Sequence, residues 1–300
     1  MTPQIAAILV NYNAGGELQH ALASIASELG TRAWEAVVVD NASTDGGDLI
    51  AEGFGPPVRV IHNTVNVGFG QGVNQGLAAT TAPIVLIMNP DCRLVAGALT
   101  TLEAELLSYN TCAIVGPCIV DPDGTEQGSA RGDPDMLTGL FGRTSRLRRL
   151  MPWLGVSKRN VVLATNQESD TSTVVQWLSG ACMLARHDAL SAARGFDPRY
   201  FMYWEDADLC RRLRAKGYHV RYVPRATAVH RVGQSSRTVR SAAIRWFHES
   251  AYLYYATHVA PGAYNPKRWL ARVLLAARCW WRLRQNPVDQ SGHVLRDRQA

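Results

Sequence analysis

Acidic and imidazole side chains occur at three places in the sequence where they could bind a divalent cation or accept a proton. Asp91 follows an apolar run and an Asn-Pro pair, and His230 follows a β-branched run. A carboxylate and a neutral imidazole suit Mg²⁺ or Mn²⁺, which proteins commonly hold with few side chains and substrate phosphate oxygens. Glu205 and Asp206 begin a helical pattern, where the helix dipole favours an ionised carboxylate. Such a carboxylate in a cleft can remove a proton from an attacking hydroxyl.

Each of these segments also has a purely structural interpretation. The segment around Asp91 could be an Asn-Pro-Asp turn, and a lone histidine such as His230 is more often structural than a ligand. The acidic helix start could be a capping arrangement, with Asp208 as the N-cap and as a partner for Arg212 one turn further along. However, three acids in four residues beside Trp204 exceed what capping requires.

Two further segments carry polar side chains or glycines that could contact a nucleotide. In Val39–Gly46 a strand runs into a turn rich in side-chain oxygens, so Asp40 could accept hydrogen bonds from a ribose or a base edge. The same residues would serve an Asx-turn that caps the next helix. The glycines of Asn66–Asn74 do not have the GxGxxG spacing of a dinucleotide-binding loop, and they follow the third strand instead of the first. This loop could approach a phosphate or a sugar, or simply lead into a helix.

The elements that must position these residues alternate along the first 120 residues. Short β-branched runs followed by helical patterns predict a mostly parallel sheet with helices on both faces. Ligands of such sheets bind beyond the carboxyl ends of the strands, where the polar residues collect here. The predicted strands are Ile5–Val10, Ala36–Asp40, Val58–His62, Ile84–Met88 and Ala113–Val120, and the predicted helices lie near Glu17–Leu29, Gly72–Ala79 and Gly97–Leu107.

The second half of the chain is less regular. Residues 121–175 are rich in Gly, Pro, Asp and Arg, which predicts a long excursion. Its arginines could contact an acidic acceptor or belong to a solvated loop; they are Arg131, Arg143, Arg146, Arg148 and Arg149. Regular structure then resumes, with predicted strands Val174–Leu178, Ala181–Ala185, His219–Val223 and Thr227–Val229 and a helix over Asp206–Lys216.

The composition argues against several classes of protein. Hydrophobic residues make up 47% and charged residues 19% of the chain, which is ordinary for a globular protein, and no apolar run is long enough to predict a membrane span or a signal peptide. Six scattered cysteines without a CxxC pair favour reduced thiols over disulfides or a zinc site. The net charge of +6 arises in residues 237–300, which hold eleven Lys/Arg against three Asp/Glu, so a nucleic-acid-binding face on the main body is not predicted.

The basic tail contains an amphipathic helical pattern between residues 268 and 284. One side carries Trp269, Leu270, Val273, Leu274, Ala277, Trp280 and Trp281, the other carries Arg268, Arg272, Arg278 and Arg282, and Leu275 and Arg284 break the pattern. Tryptophans opposite arginines fit a helix in the interface of an anionic membrane. A helix that covers its own domain would show the same pattern.

Taken together, the motifs resemble the inverting glycosyltransferases of family 2, which have the GT-A fold, and especially their rhamnosyltransferase-like members. No single motif is diagnostic, but the ordered set is specific and covers roughly residues 4–258. The motifs are Leu9–Asn13, Val39–Gly46, Asn66–Gly70, Met88–Asp91, Gly180–Met183, Gly195–Asp197, Trp204–Arg212 and His230–Ser235. The resemblance implies an α/β fold with a mixed, mainly parallel sheet flanked by helices, followed by a C-terminal helical extension.

The resemblance also implies roles for individual residues. Asp91 corresponds to the metal-binding acid of the family's DxD motif, and Asn89 stands where many members have the first Asp, so metal binding would depend on Asp91 and His230. Asp206 corresponds to the catalytic base, and Glu205 would orient the acceptor or the sugar. The nucleotide and donor sugar would contact Asn11, Asn13, Asp40, Asn41, Asn66, Gly68, Asn74 and Asn89, and the acceptor would contact Trp177, Gly180 and Trp204.

The implied activity is transfer of a sugar, with rhamnose as the candidate, from a nucleoside diphosphate to a saccharide or lipid-linked hydroxyl in cell-envelope polysaccharide synthesis, aided by Mg²⁺ or Mn²⁺. Residues 1–236 would form the catalytic domain, with a nucleotide half near 1–120 and an acceptor half near 121–236, and residues 237–300 the extension. We expect a cytoplasmic protein that can contact the inner face of the cytoplasmic membrane through residues 268–284 and binds no nucleic acid. The alternatives are a nucleotide-dependent oxidoreductase, which the glycine spacing disfavours, and a non-catalytic sugar- or nucleic-acid-binding module.

Overall fold

The structure, a computed structural model, describes residues 2–133, 161–162, 171–231 and 240–285. The strands in this part of the chain are β1 (Ile5–Asn11), β2 (Trp34–Asp40), β3 (Val58–His62), β4 (Ile84–Met88), β5 (Cys92–Leu94), β6 (Cys112–Val120), β7 (Ala130–Arg131), β8 (Val161–Val162), β9 (Thr173–Val175), β10 (Trp177–Leu178), β11 (Cys182–Arg186) and β12 (His219–His230). The α-helices are α1 (Gly16–Leu29), α2 (Gly47–Gly53), α3 (Phe69–Ala78), α4 (Ala98–Ser108), α5 (His187–Ala192), α6 (Glu205–Ala215), α7 (Arg240–Tyr254) and α8 (Pro266–Gln285). A π-helical turn, Tyr255–Val259, follows α7 directly.

Nine strands form one mixed sheet in the order β3-β2-β1-β4-β11-β6-β12-β5, with β9 beside β12. Strands β3, β2, β1 and β4 are parallel to their neighbours, as are β6 and β12. Strand β11 lies antiparallel between β4 and β6, so β1, β4, β6 and β12 all run in the same direction. The α/β fold class predicted from the sequence is confirmed. A separate small sheet has the order β10-β7-β8.

The central strands are apolar because helices cover both faces of the sheet. All seven residues of β1 are buried, as expected for a strand without a solvent-facing side. Ile5 and Leu9 pack in a core cluster with α1 and α4, whereas Ile8 and Val10 pack with α3, α5 and α6. This alternation follows from the two-residue period of a strand, and it holds the carboxyl end of β1 between the two layers.

The second half of the sheet differs from the prediction in two places. The predicted strand Val174–Leu178 is two short strands, β9 and β10, which belong to different sheets. Strand β12 unites two predicted strands and runs on to His230, because its register against β6 shifts between Val223 and Thr227 and pairing then resumes. Pro224 lies within this shift, where a residue without an N–H is tolerated.

The C-terminal helices pack against the helix that begins at Glu205. His258 Nε2 lies 2.6 Å from Asp208 Oδ1, and Arg211 donates a hydrogen bond to the carbonyl oxygen of His258 at 3.0 Å. Asp208 is 1% exposed, so these contacts are shielded from water. The π-helical turn after α7 is therefore attached to the middle of α6.

The prediction that Asp208 caps α6 was wrong. Trp204 occupies the N-cap position and makes no capping side-chain hydrogen bond, and Asp208 lies inside the helix. Its predicted pairing with Arg212 is confirmed, with 2.7 Å between Arg212 Nε and Asp208 Oδ2. Burial explains the difference, because an acid enclosed by Arg212 and His258 has partners that an exposed cap would lack.

Some predictions fall outside the described residues. The boundary between the predicted domains, at residues 236 and 237, is one of them, and it stays a prediction. Arg143, Arg146, Arg148 and Arg149 of the predicted excursion are others. Among the helices that the structure describes, none is both long and apolar enough to cross a bilayer.

Candidate active site

The polar segments predicted from the sequence meet at one edge of the large sheet. Strands β1 and β2 end in register at Asn11 and Asp40, and the segment Asn89–Asp91 follows β4, which is the other neighbour of β1. Strand β12 runs in the direction of β4 and ends at His230. The residues before β11 lie at the same edge because β11 is antiparallel to β4. The carboxyl ends of the parallel strands are thus gathered where ligands of such sheets bind.

Asn11 and Asp40 form a buried pair at this edge. Asn11 Nδ2 donates to Asp40 Oδ1 at 2.8 Å and to Ser43 Oγ at 3.0 Å. The Ser43 N–H donates to Asp40 Oδ2 at 3.0 Å, which makes the predicted side-chain turn. Asn11 Oδ1 is buried and has no hydrogen-bond partner among the residues described. Because a buried acceptor without a partner is costly, this atom could accept a hydrogen bond from a ligand. Nothing in the sequence distinguished Ser43 from the other side-chain oxygens of this turn.

Asn41 connects the end of β2 to the glycine loop before α3. Its Nδ2 donates to the carbonyl oxygen of Gly68 at 3.2 Å, and Asn66 Oδ1 accepts a hydrogen bond from the Gly68 N–H at 2.9 Å. Gly68 has a φ of 88°, and a Cβ atom at this position would lie 2.3 Å from the carbonyl oxygen of Phe201. Only glycine fits both conditions. Gly68 therefore lets the loop before α6 approach the end of β2, where Asn41 lies. The sequence did not indicate this contact.

Asn13 and Asn74 use their side chains to hold neighbouring loops. Asn13 Oδ1 accepts a hydrogen bond from the Thr44 N–H at 2.8 Å. The Asn74 side chain forms two hydrogen bonds with the backbone of Phe196. Its Oδ1 accepts from the Phe196 N–H and its Nδ2 donates to the Phe196 carbonyl oxygen, each at 2.8 Å. These structural roles were not predicted. The contacts of Asn13 and Asn74 with nucleotide and donor sugar stay predictions.

Asp91 and His230 face each other across the ends of β4 and β12. His230 Nε2 lies 3.1 Å from Asp91 Oδ1 and 3.4 Å from Asn89 Nδ2. The arrangement is fixed by the backbone, because His230 pairs with Cys92 in the antiparallel ladder between β12 and β5. The two predicted metal ligands are thus adjacent in space, although they lie far apart in the sequence.

Gln127 orients the imidazole of His230. Gln127 Nε2 donates to the carbonyl oxygen of His230 at 2.7 Å and to Asp121 Oδ1 at 2.8 Å. The amide oxygen of Gln127 therefore points at His230 Nδ1, 2.9 Å away, so this nitrogen must carry a proton. In the neutral ring Nε2 then presents a lone pair towards the Asp91 carboxylate, the tautomer that a metal ligand needs. No sequence signal marked Gln127.

The donor atoms fit a hard or borderline divalent ion. Asp91, Cys92 and His230 offer ligand atoms within 4.8 Å of one another. Burial raises the pKa of the Cys92 thiol well above its usual value, and Cys182 and Asp91 raise it further. A thiol that keeps its proton is a poor ligand. The remaining carboxylate oxygen and imidazole nitrogen could hold Mn²⁺ or Mg²⁺ together with phosphate oxygens and water.

Asp206 is held at the start of α6 by two backbone N–H groups. Gly180 donates to Oδ2 at 3.0 Å, and Ala207 donates to Oδ1 at 2.7 Å. Burial raises the pKa of Asp206 by more than these hydrogen bonds and the Arg131 guanidinium lower it. Burial therefore outweighs the helix dipole on which the sequence prediction relied. A carboxylate with a raised pKa is a stronger proton acceptor, as a general base requires.

Glu205 is more enclosed than its neighbour. The residue is 6% exposed, and its Oε2 has no hydrogen-bond partner in the described part of the chain. Burial, and then the charge of Asp206, raises the pKa of Glu205 well above its usual value. Since two adjacent carboxyls resist ionising together, burial favours the protonated form of Glu205 beside an ionised Asp206. A protonated Glu205 can donate a hydrogen bond to a ligand.

Two tryptophans predicted to contact the acceptor lie close to the start of α6. Trp177 donates its indole N–H to a backbone carbonyl at 2.8 Å, and the Arg131 guanidinium lies 5.2 Å from its ring centroid. Trp204 has a φ of 69°, which is strained for a residue other than glycine. Its ring packs against Phe247 and Tyr254 of α7, and its indole N–H is buried without a partner among the residues described. The acceptor contacts of both tryptophans stay predictions.

Short contacts connect Asp206 to Asp91 and His230, the two residues that could hold a cation. Asn89 Nδ2 approaches His230, and the Asn89 N–H donates to the carbonyl oxygen of Ala181 at 2.8 Å. The preceding residue, Gly180, donates to Asp206. A group that can accept a proton and two side chains that could hold a cation are therefore connected through Asn89 and residues 180–181. Group transfer from a diphosphate uses this combination.

Comparisons of sequence agree with this geometry. The family model described as "Glycosyl transferase family 2" matches residues 6–162. The N-acetylglucosaminyl-diphospho-decaprenol L-rhamnosyltransferase of Mycobacterium tuberculosis (strain ATCC 25618 / H37Rv) is 31% identical over 290 residues, which cover 93% of this chain and 92% of the relative. The rhamnosyltransferase WbbL of Escherichia coli (strain K12) is 38% identical over 103 residues, 34% of this chain and 38% of that protein.

Solved structures share the fold. The mannosyltransferase PcManGT from Pyrobaculum calidifontis, in complex with GDP-Man and Mn²⁺, matches 96% of this chain and 77% of its own with a TM-score of 0.58 and 17% identity. GalNAc-T7 with UDP, GalNAc and Mn²⁺ matches 95% of this chain and 56% of its own, with a TM-score of 0.59 and 14% identity. The fold is therefore of the GT-A type, and the chain belongs to the family 2 glycosyltransferases, where it is similar to rhamnosyltransferases.

Proposed function

We propose that this protein is an inverting, metal-dependent glycosyltransferase that moves a sugar, with rhamnose as the first candidate, from a nucleoside diphosphate to a saccharide carried on a lipid diphosphate. The mycobacterial relative, aligned over nearly its full length, is named for L-rhamnosyl transfer to an acceptor of this kind. The observation that carries the proposal is the bond from Gly180 to Asp206 beside the contact of Asn89 with His230. This arrangement connects Asp206, the proposed base, to Asp91 and His230, the proposed cation ligands.

The donor nucleotide is proposed to bind at the ends of β1 and β2. Asp40 accepts hydrogen bonds from Asn11 and Ser43, which leaves lone pairs of its carboxylate for ribose hydroxyls or a base edge. Asn11 Oδ1, buried and without a partner among the residues described, would accept from the same ligand. The diphosphate would then extend towards β4 and β12, where Asp91 and His230 lie.

Asp91 and His230 are proposed to hold Mn²⁺ or Mg²⁺. Two glycosyltransferases of similar fold were solved with Mn²⁺, and Gln127 keeps His230 in the tautomer that presents Nε2. When bound, the ion would supply positive charge that offsets the charge developing on the departing diphosphate. Asn89, in place of an acid, makes the site less negative, and its Nδ2 lies 3.4 Å from His230 Nε2.

Asp206 is proposed to remove the proton from the acceptor hydroxyl. Its carboxylate is fixed by the Gly180 and Ala207 N–H groups, and burial raises its pKa. The oxygen that loses its proton would attack the sugar carbon from the side opposite the diphosphate, so the configuration at that carbon inverts. Glu205 is a poor nucleophile for a covalent intermediate, because burial favours the protonated, uncharged form of its carboxyl. It would instead donate a hydrogen bond to the sugar or the acceptor.

The test is a transfer assay with a panel of nucleoside diphosphate sugars, including the L-rhamnose derivative, Mn²⁺, and an N-acetylglucosaminyl-diphospho-lipid acceptor. We expect one sugar to be added, with the anomeric configuration inverted in the NMR spectrum of the product. Retained configuration would refute the single displacement. Nicotinamide binding without sugar transfer would favour the oxidoreductase instead.

A further inference from the structure

Helix α8 packs on the protein with one side and leaves a tryptophan-rich side exposed. Ala271 and Leu275 are its buried residues, whereas Trp269, Trp280 and Trp281 are 72%, 55% and 46% exposed. The sequence predicted the two faces of this helix but not which of them packs. The face that contacts the protein is the arginine side, which also explains why Leu275 interrupts the apolar pattern.

The arginines of the packed side contact aromatic rings of α7. Arg268 Nε donates to the Tyr252 hydroxyl at 3.1 Å, and the Arg272 guanidinium lies 5.8 Å from the Tyr252 ring centroid. The Arg278 guanidinium lies 6.0 Å from the Phe247 ring centroid. Such cation–π contacts stabilise a desolvated guanidinium. They fix α8 on α7 in the orientation that turns its apolar side away from the protein.

The outer side of α8 is mostly apolar, and the exposed Arg284 also lies there, with its guanidinium 3.9 Å from the Trp280 ring centroid. The large apolar residues of this side repeat at helical spacing and are all exposed; they are Trp269, Leu270, Val273, Trp280 and Trp281. Monomeric globular proteins rarely expose an apolar patch of this extent, and those that do commonly use it to bind a partner or a membrane. We name these five residues the outer face of α8.

We propose that the outer face of α8 docks on an anionic lipid bilayer, with the helix lying in the plane of the interface. Tryptophan favours this interface because its ring is apolar and its N–H remains hydrated. The helix contains six Lys/Arg and no Asp/Glu, and Arg284 lies over the Trp280 ring on the outer side, so this side is attracted to a negatively charged surface. A second copy of the chain docked on the same face would bring two such helices together, and their like charges would repel.

The contacts of α7 link this surface to the candidate active site. Ser250 Oγ donates to the carbonyl oxygen of Met202 at 2.9 Å, and the rings of Phe201 and Trp246 lie 4.5 Å apart. A bilayer under α8 would therefore lie on the side of the protein that carries the loop before α6. If the proposed function holds, docking supplies the active site with a lipid-linked acceptor, but the docking surface itself does not depend on that function.

The test is co-sedimentation of the full chain with vesicles of phosphatidylcholine alone or with an equal part of phosphatidylglycerol. We expect binding to the anionic vesicles, and a loss of at least about tenfold in the partition coefficient for the W269S/W280S/W281S variant. The matched control is L49S/L107S/V174S, which removes three exposed apolar side chains from other surfaces and should bind as the unaltered chain does. Thermal unfolding and light scattering establish that both variants are folded and report their oligomeric state.

Unchanged binding of the tryptophan variant would overturn the proposal, as would equal binding to neutral and anionic vesicles. If the substitutions convert a dimer to a monomer while vesicle binding persists, the outer face belongs to a second copy and the proposal fails. Transfer to a short-chain, water-soluble acceptor separates the two hypotheses. Vesicle binding without any transfer would refute the proposed function and leave the docking surface standing.

Discussion

Replacing Asp206 with Asn tests the base with little change in shape. The carboxylate now accepts hydrogen bonds from Gly180 and Ala207, one on each oxygen. An amide offers one acceptor and places an N–H group against the other donor, which costs about 1–3 kcal/mol of stability. The variant should remain folded, with a melting temperature lowered by several degrees.

The effect of this change on catalysis should be larger than its effect on folding. A positioned general base contributes about 10²–10⁴-fold to a rate, so we expect kcat to fall by that factor. The donor should bind with unchanged affinity, because Asp206 is not among the residues proposed to bind the nucleotide at the ends of β1 and β2. Initial rates at saturating donor, with donor affinity from calorimetry, measure the two quantities separately.

The dependence of the rate on pH adds a second check on Asp206. Since burial raises the pKa of its carboxyl, the rate of the unaltered enzyme should rise with pH through a value above the ordinary aspartate range, as the base loses its proton. The Asn variant should lose this limb of the profile. If the variant keeps more than about a tenth of the activity, or keeps the same limb, Asp206 is not the base.

Three further predictions concern neighbouring residues. Burial raises the pKa of Glu205 in the folded protein, so the folded state loses stability as pH rises above the unfolded value of 4.5 and towards the folded value. The E205Q variant lacks this ionisable group and should therefore be more stable than the unaltered protein by about 1–3 kcal/mol at neutral pH. Thermal unfolding should show that this difference in stability vanishes in acid. Q127L should weaken Mn²⁺ binding about 10–100-fold by calorimetry, since a histidine without its supporting hydrogen bond loses its orientation; unchanged affinity would argue against this support. G68A should destabilise the fold by at least about 2 kcal/mol because of its positive φ and the approach of Phe201, whereas G97A, which has a similar φ but open space around it, should cost less.

Much of the fold could be predicted because the central strands are buried on both faces. A run such as Ile84–Met88 has no polar residue, and only a strand covered by helices on both sides explains it. Polar residues directly after such strands must then lie at one edge of the sheet, which is why Asp40, Asp91 and His230 could be assigned to a common edge. Short elements such as α2 and β5 were missed, because a few residues carry too little periodic pattern.

The rest of the site depends on contacts that sequence spacing does not encode. Gln127 acts through a hydrogen bond to a residue 103 positions away, and nothing in its local sequence marks it. Phe196 lies in the motif Gly195–Asp197, but that motif does not reveal its contact with Asn74, 122 positions away. The raised pKa of Glu205 reflects burial, which overrides the helix dipole that the sequence does reveal. The orientation of α8 likewise depends on α7, whose aromatic rings receive the arginines that would otherwise face water.

The proposed mechanism requires that Asp91 and His230, as cation ligands, and Asp206, as the base, serve one reaction. Crystals grown with Mn²⁺ and a nucleoside diphosphate, measured at the manganese absorption edge, test it most directly. We predict an anomalous peak about 2.1 Å from Asp91 Oδ1 and His230 Nε2, with the diphosphate bound beside it. A peak instead at Asp40, Asp48 and His62, the other group whose ligand atoms lie within 4.8 Å of one another in the described part of the chain, would contradict the account.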